Sequence, residues 1–381
     1  MRIWLHAASV GEIQAAKALI RELTICLPEA ELIVSTVTEQ GYKVARGCTA
    51  PEITCIFAPL DLAGITKRVC NSIKPSIYVC LETELWPNMI REVSRCGAKV
   101  ILLNGRLSER SFKRYRLIRG FMKNILAHFA AISVIQEADA DRYLALGADP
   151  KKIYVHGNAK YDLADGFGQD TEAGYRTLFA LAPQQPVLVA GSTHRGEEET
   201  ILRVFQRVRT TYPRFLLVLA PRHLNRLFEV KALLDKNRVS FQSLSEIRRH
   251  GRCQDVVLVD TMGELTGLYS IATYVFCGGS LVPYGGHNIM EPAFWGKPIF
   301  YGPSMKDFSD AKQLLESYQA GFMVKDEEDL TRRILYFEDH CDLYENACQA
   351  AKEAAWSQQG AARRQVQLIT KILLSEDNQP I

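Results

Sequence analysis

The chain has 381 residues, 47% of them hydrophobic and 23% charged, which is enough to bury two ordinary cores and carries no bias toward disorder. A formal charge of +3 is too small to announce a nucleic-acid partner, so an electrostatic partner has to rest on a local patch. Ten cysteines, never spaced C-x-x-C, read as reduced core residues of a cytosolic protein, and with eight scattered histidines they predict neither metal nor cofactor. There is no signal peptide and no apolar run of about 18 residues, so the sequence as it stands is not expected to span a membrane.

In chain order, RIWLHAA, ELIVST, ITCIFAP, SIYVCLE, AKVILLN and AAISVIQ are strand candidates, each followed by turn residues and a 3.6-period segment. After KIYVHGN the pattern breaks in a polar stretch with glycines and prolines, then restarts with PVLVAGS, RFLLVLAP, DVVLVD, ATYVFCGGS and KPIFYG. Alternation of this kind predicts an α/β chain of two Rossmann-like domains facing a cleft, with ligands at the C-terminal strand ends. The expected boundaries are 1–165 for the first domain, 166–186 for a linker and 187–350 for the second domain. The last segment, 351–381, is a helical candidate to pack back on the first domain.

At the first strand-to-helix elbow, Ser9-Val10-Gly11-Glu12 has the S-x-x-E spacing of a capping box, in which Ser9 caps the helix and Glu12 reaches back to the Ser9 amide. The same elbow lies where ligands bind, so Glu12 is equally a candidate general base, held ionised and weakly basic by the helix N-terminus. Gly11 suits either reading, since its missing side chain allows a close approach.

The string CGGSLVPYGGHNIMEP (277–292) ends a strand in Gly279 and Ser280, adds Gly286, His287 and Asn288, and opens a helix with Glu291. Exposed amides there make an anion site suited to a nucleotide phosphate, and Glu291 suits a ribose diol. Three further strand ends match it. Ser192, Thr193 and His194 follow PVLVAGS, while Pro221, Arg222 and His223 follow RFLLVLAP, with Arg222 either a phosphate clamp or a paired surface residue. Met262, Gly263, Glu264 and Leu265 form a loop whose amides are candidates to hold base or phosphate.

The strings HAASVGE, FAPLDL, LETELWPN, NGRLSERSFKRY, GNAKYD, GSTHRGEE, APRH, GEL and GGSLVPYGGHNIMEP, spread from residue 6 to residue 292, resemble the 3-deoxy-D-manno-octulosonic acid (Kdo) transferases of lipopolysaccharide assembly. The resemblance implies a GT-B fold, a CMP-Kdo donor in the C-terminal half and a lipid A precursor (lipid IVA) as acceptor in the N-terminal half. It implies inverting, metal-independent transfer at the cytoplasmic face of the bacterial inner membrane. The base of this family is the glutamate of its S-V-G-E motif, which falls on Glu12. Members commonly carry an apolar N-terminal anchor, whereas this sequence opens at Met1-Arg2 on the first strand, so either an anchor has been removed or docking relies on surface contacts alone.

The acceptor side is expected around residues 104–126, where Arg106, Arg110, Lys113, Arg114, Arg116, Arg119 and Lys123 interleave with apolar residues, as on a helix lying on an anionic membrane. Arg106, Ser108, Ser111 and Tyr115 are candidate cleft contacts, as are Glu82 and Glu84 at another strand end. Asn158 and Lys160 are candidates to reach the donor carboxylate. Asp139 and Asp141 have D-x-D spacing but read as solvent-facing helix residues. The rivals are a UDP-sugar transferase or a sugar-nucleotide epimerase on the same fold, and a non-catalytic nucleotide- or lipid-binding protein of the membrane surface.

Overall fold

The computed structural model describes residues 1–48, 53–162 and 169–377. The chain divides into two compact units, one comprising Met1–Leu163 with Gln358–Ile381 and the other Ala164–Ser357.

The first unit is built on a seven-stranded sheet of order β3-β2-β1-β4-β5-β6-β7. Its strands are β1 (Arg2–His6), β2 (Glu31–Thr36), β3 (Thr54–Phe57), β4 (Ile77–Leu81), β5 (Lys99–Gly105), β6 (Phe129–Val134) and β7 (Ile153–Val155), all parallel. The central strands are continuous apolar runs because helices cover both faces. On β1, Ile3 and Leu5 enter the core shared with the helix Val10–Cys26, while Trp4 points to the opposite core with Tyr78 and Met89. The chain moves outward from β1 through β2 to β3, then returns to β4 on the other side of β1. The loops after β1 and β4 therefore flank the topological switch point, where ligands collect in open α/β sheets.

The C-terminal helix Ala361–Asp377 belongs to this unit and buries Ala362, Val366, Leu368 and Ile369 in its core. Asp162 receives the N–H groups of Gly360 and Ala362, both at 3.0 Å, and so satisfies donors that a helix start leaves open. The wholly buried Gln365 accepts from Asn104 N–H at 3.0 Å and donates to Gly157 C=O at 3.0 Å.

The second unit repeats the plan with order β10-β11-β9-β8-β12-β13-β14. Its strands are β8 (Val187–Thr193), β9 (Leu216–Pro221), β10 (Gln242–Ser243), β11 (Val256–Leu258), β12 (Tyr274–Cys277), β13 (Ile299–Tyr301) and β14 (Gly321–Met323). Its switch point lies between β8 and β12. Within 166–186, the helix Gln169–Leu178 packs in this unit, where Tyr175 donates to Glu264 at 2.5 Å. The helices Glu327–Asp339 and Cys341–Ser357 stay in the second unit, so of the segment 351–381 expected on the first domain only the part from Gln358 belongs to it.

Gln365→Leu leaves a buried N–H and a buried C=O without partners and should lower stability by roughly 2–4 kcal/mol in urea denaturation, whereas a loss below about 0.5 kcal/mol would mean that neither bond matters.

Candidate active site

The first elbow brings Glu12 to the switch point on the opening turn of its helix, 8% exposed. The expected capping box does not form. Glu12 Oε2 accepts from the Ala8 N–H at 2.6 Å, one residue before the cap, and Oε1 accepts from the Ser9 hydroxyl at 3.0 Å. Ser9 makes no side-chain cap bond to the helix, since its hydroxyl is turned to the carboxylate. Burial pushes the Glu12 carboxyl up to about 7, and the charges of Glu84 and Glu82 add to it against the two hydrogen bonds. Glu12 is therefore a stronger base than a helix N-terminus alone would leave it. A Cβ on Gly11 would stand 3.8 Å from Ser9 Oγ and 3.9 Å from Lys160 Nζ, so the glycine leaves the space over both polar groups open.

The loop after β4 supplies the neighbouring acids. Glu82, in a left-handed conformation with φ 54°, is ion-paired to Lys160. Burial pushes the Glu84 carboxyl up, but hydrogen bonds from His6 and Trp86, with the His6 charge, outweigh it and hold Glu84 below the usual carboxylate range. His6 Nε2 lies 3.8 Å from Glu84 Oε2, and its Nδ1 is fixed by Ser35 Oγ at 3.0 Å. Tyr115 is half-buried, and burial together with the Glu84 charge raises its hydroxyl.

The other expected residues of this unit are partly structural. Asn158 Oδ1 accepts from the Lys160 N–H at 3.0 Å and so turns the chain that presents the lysine. Ser108 caps the helix Glu109–Leu117 by accepting from the Ser111 N–H at 3.1 Å and shares a 2.9 Å hydroxyl contact with Ser111. Arg106 is half-buried at the end of β5. The stretch 104–126 is two helices rather than one, Glu109–Leu117 and Arg119–Leu126, hinged at Ile118. Asp139 is wholly buried, contrary to the solvent-facing expectation, and accepts from the Leu107 N–H at 2.8 Å and from Arg142 at 3.1 Å.

In the second unit, the ends of β8 and β9 and the loop after β12 bring three histidines together. His194 Nε2 meets His287 Nε2 at 2.9 Å with nearly parallel rings, Tyr284 stacks on His194 at 4.2 Å, and His223 stands edge-on at 5.8 Å. Burial, then the charge of Arg222, holds His287 down at about 4. Arg222 and His223 are exposed, Pro221 is buried as the last residue of β9, and Ser192 is left-handed with φ 54°. Thr193 is buried, and among the described residues its hydroxyl has no partner.

The glycine turn is used differently from the expectation. The amides of Gly279, Ser280 and Leu281 donate to the buried Glu197 carboxylate at 2.7, 3.0 and 2.9 Å, and the His194 N–H joins them at 2.9 Å. These amides are filled from within by a carboxylate of the chain itself. Ser280 is likewise buried, donating to Cys277 C=O and accepting from the Gly302 N–H. Gly278 is required by close approach, because a Cβ there would lie 2.3 Å from Ser192 O. Glu291 accepts one bond on each oxygen, from Thr266 at 2.9 Å and from Asn288 at 3.0 Å, and Asn288 Oδ1 also accepts from the Met290 N–H at 3.0 Å. Glu264 is held by Tyr175 and Arg248, while Met262 and Gly263 are exposed, Leu265 is half-buried and Gly286 is buried.

Glu197, Tyr284 and His6 escaped the sequence reading. The spacing of His194 and Glu197, three residues apart after a strand, is the one local signal for Glu197. Replacing Glu197 by Gln puts an amide group where four N–H donors converge and should cost about 2–4 kcal/mol by thermal or urea unfolding. A variant as stable as wild type would mean that these donors have other partners.

A family model described as 3-deoxy-D-manno-octulosonic-acid transferase (kdotransferase) matches residues 1–163. The 3-deoxy-D-manno-octulosonic acid transferase of Haemophilus influenzae is 32% identical over 97% of this chain and 87% of its own length. A bifunctional glycosyltransferase/methyltransferase of Fusobacterium nucleatum is 34% identical over 87% of this chain, and the chain spans 52% of that relative. Among solved structures, a glycosyltransferase from Rickettsia africae matches over 98% of each chain with a TM-score of 0.63 at 15% identity, a likeness of fold that identifies the paired Rossmann-like units as GT-B. The Haemophilus influenzae relative, aligned along nearly the whole of this sequence and most of its own, and the family model agree: the chain belongs to the 3-deoxy-D-manno-octulosonic acid transferase family.

Proposed function

We propose that the protein is an inverting glycosyltransferase that moves Kdo from CMP-Kdo to a hydroxyl of a lipid A precursor, lipid IVA, with Glu12 as general base. The observation that carries this reading is the state of Glu12, buried at a switch point, hydrogen-bonded through both oxygens and raised to about 7. A base of that strength is half ionised near neutral pH, where it combines availability with proton affinity. The acceptor proton passes to Glu12, the acceptor oxygen forms its bond to the anomeric carbon of Kdo, and the bond from that carbon to the phosphate of CMP breaks. Lys160, paired with Glu82, is a cation for the donor carboxylate.

In the second unit the leaving phosphate is met by side chains rather than by the glycine amides. Arg222, exposed beside the His194 and His287 pair, supplies the charge, and the remaining lone pairs of Glu291 suit ribose hydroxyls. The membrane contact we assign is the pair of helices after β5, where Leu117, Ile118 and Phe121 are exposed among Arg110, Lys113, Arg114, Arg116, Arg119 and Lys123. Each basic residue near an anionic leaflet contributes about 1 kcal/mol, which favours the cytoplasmic face of the inner membrane. Among the described residues no helix is long and apolar enough to cross a membrane.

Mass spectrometry of lipid IVA incubated with CMP-Kdo should show Kdo addition by wild type and a rate lower by about 10²–10⁴ for a folded Glu12→Ala. Wild-type kcat/KM should rise with pH through a midpoint near 7, where Glu12 is half ionised, and level off above it. Equal rates for the two proteins would reduce Glu12 to a structural tie between Ala8 and Ser9.

A further inference from the structure

The ends of β2 and β3 carry large apolar side chains that the proposed chemistry does not use. Val37, Phe57, Leu60, Leu62 and Ile65 are between 40% and 68% exposed. Backbone bonds tie this rim to the Glu12 elbow. The Val37 N–H and the Thr36 hydroxyl both donate to Ala8 C=O at 3.1 Å, and the Ala58 N–H donates to Thr36 C=O at 2.8 Å. Ala8 is the residue whose N–H is held by Glu12, so the apolar loops run beside the base. They are ordered loops. Phe57 stacks on Tyr42 at 4.6 Å, and the Asp61 carboxylate, between Leu60 and Leu62, accepts from the Met89 N–H at 2.7 Å and the Asn88 N–H at 3.2 Å.

In the order β3-β2-β1-β4-β5, Glu12 follows β1 with the apolar rim on one side and the basic helices after β5 on the other. That is the polarity of an amphiphile carrying phosphates and acyl chains, presented across the base. Resting on the lipid-acceptor reading above, we propose that the rim of Val37, Phe57, Leu60, Leu62 and Ile65 binds the acyl chains of the acceptor itself. The enzyme then selects its acceptor by its chains as well as by its charged headgroup, and the acyl contact is separate from the membrane contact made by the basic helices.

The test compares tetraacylated lipid IVA with its O-deacylated form in detergent, with saturating CMP-Kdo, for wild type and a Leu60→Ser, Leu62→Ser double variant. Both side chains are more than half exposed, so the fold should hold, and Leu62→Ser alone serves if the double variant melts early. The preference of wild type for the tetraacylated acceptor, as a ratio of kcat/KM values, should fall at least tenfold in the variant, through KM rather than kcat. An unchanged ratio overturns the proposal. So does an unchanged ratio accompanied by lost binding to phosphatidylglycerol vesicles without acceptor, which would make the rim a general membrane contact. Failure of wild type to glycosylate either acceptor would instead remove the lipid-acceptor reading, and this inference with it.

Discussion

Glu12 has to be buried and still able to carry charge, and much of the first unit follows from that requirement. Three carboxylates gather at one switch point, which on its own would be repulsive. Two have their own compensation, Glu82 in its ion pair with Lys160 and Glu84 in the hydrogen bonds from His6 and Trp86, which hold Glu84 below the usual carboxylate range. Glu12 is left with two hydrogen bonds and, among the described residues, no ion pair, and its proton affinity rises toward neutrality. The division depends on the backbone. The Ala8 N–H is aimed at Glu12 by the elbow, and the left-handed Glu82 turns its side chain toward Lys160, whose own position is set by Asn158.

The second unit resolves a similar electrostatic problem in the opposite way. Glu197 is a buried carboxylate surrounded by donors, and burial still raises its pKa against four backbone N–H groups. Its role is to fold the glycine turn after β12 against the end of β8, which fixes where His194 and His287 meet. With those amides occupied, the groups left exposed at the neighbouring strand end are Arg222 and His223. The 2.9 Å contact between two imidazole nitrogens needs one donor and one acceptor, and burial, which lowers the pKa of both rings, favours the neutral forms that provide them.

The sheet architecture was legible because each parallel strand is an apolar run set off by turn residues. Among the described strands, β10 and β14 lacked that signature: β10 is the polar pair Gln242–Ser243, and β14, Gly321–Met323, opens on a glycine. The positions of Glu12, Glu82, Lys160, His194 and His287 at strand ends were legible for the same reason. What a side chain does once there was not. The spacing of Ser9 and Glu12 predicts a capping box, yet the carboxylate bonds one residue earlier, a choice made by how β1 enters the helix. The amides after Gly278 read as open because their partner, Glu197, lies about eighty residues away in sequence. Asp139 read as exposed because its helix looked polar, whereas the loop after β5 folds over it and contributes the Leu107 amide.

The claim on which the account turns is that Glu12 titrates near neutrality in the folded protein. Carbon-13 NMR of side-chain carboxyl groups in glutamate-labelled protein, assigned with Glu12→Gln, measures this directly. A resonance missing from the variant should titrate with a midpoint near 7. A midpoint at the ordinary glutamate value of 4.5 would contradict it and leave the elbow without a base suited to neutral pH.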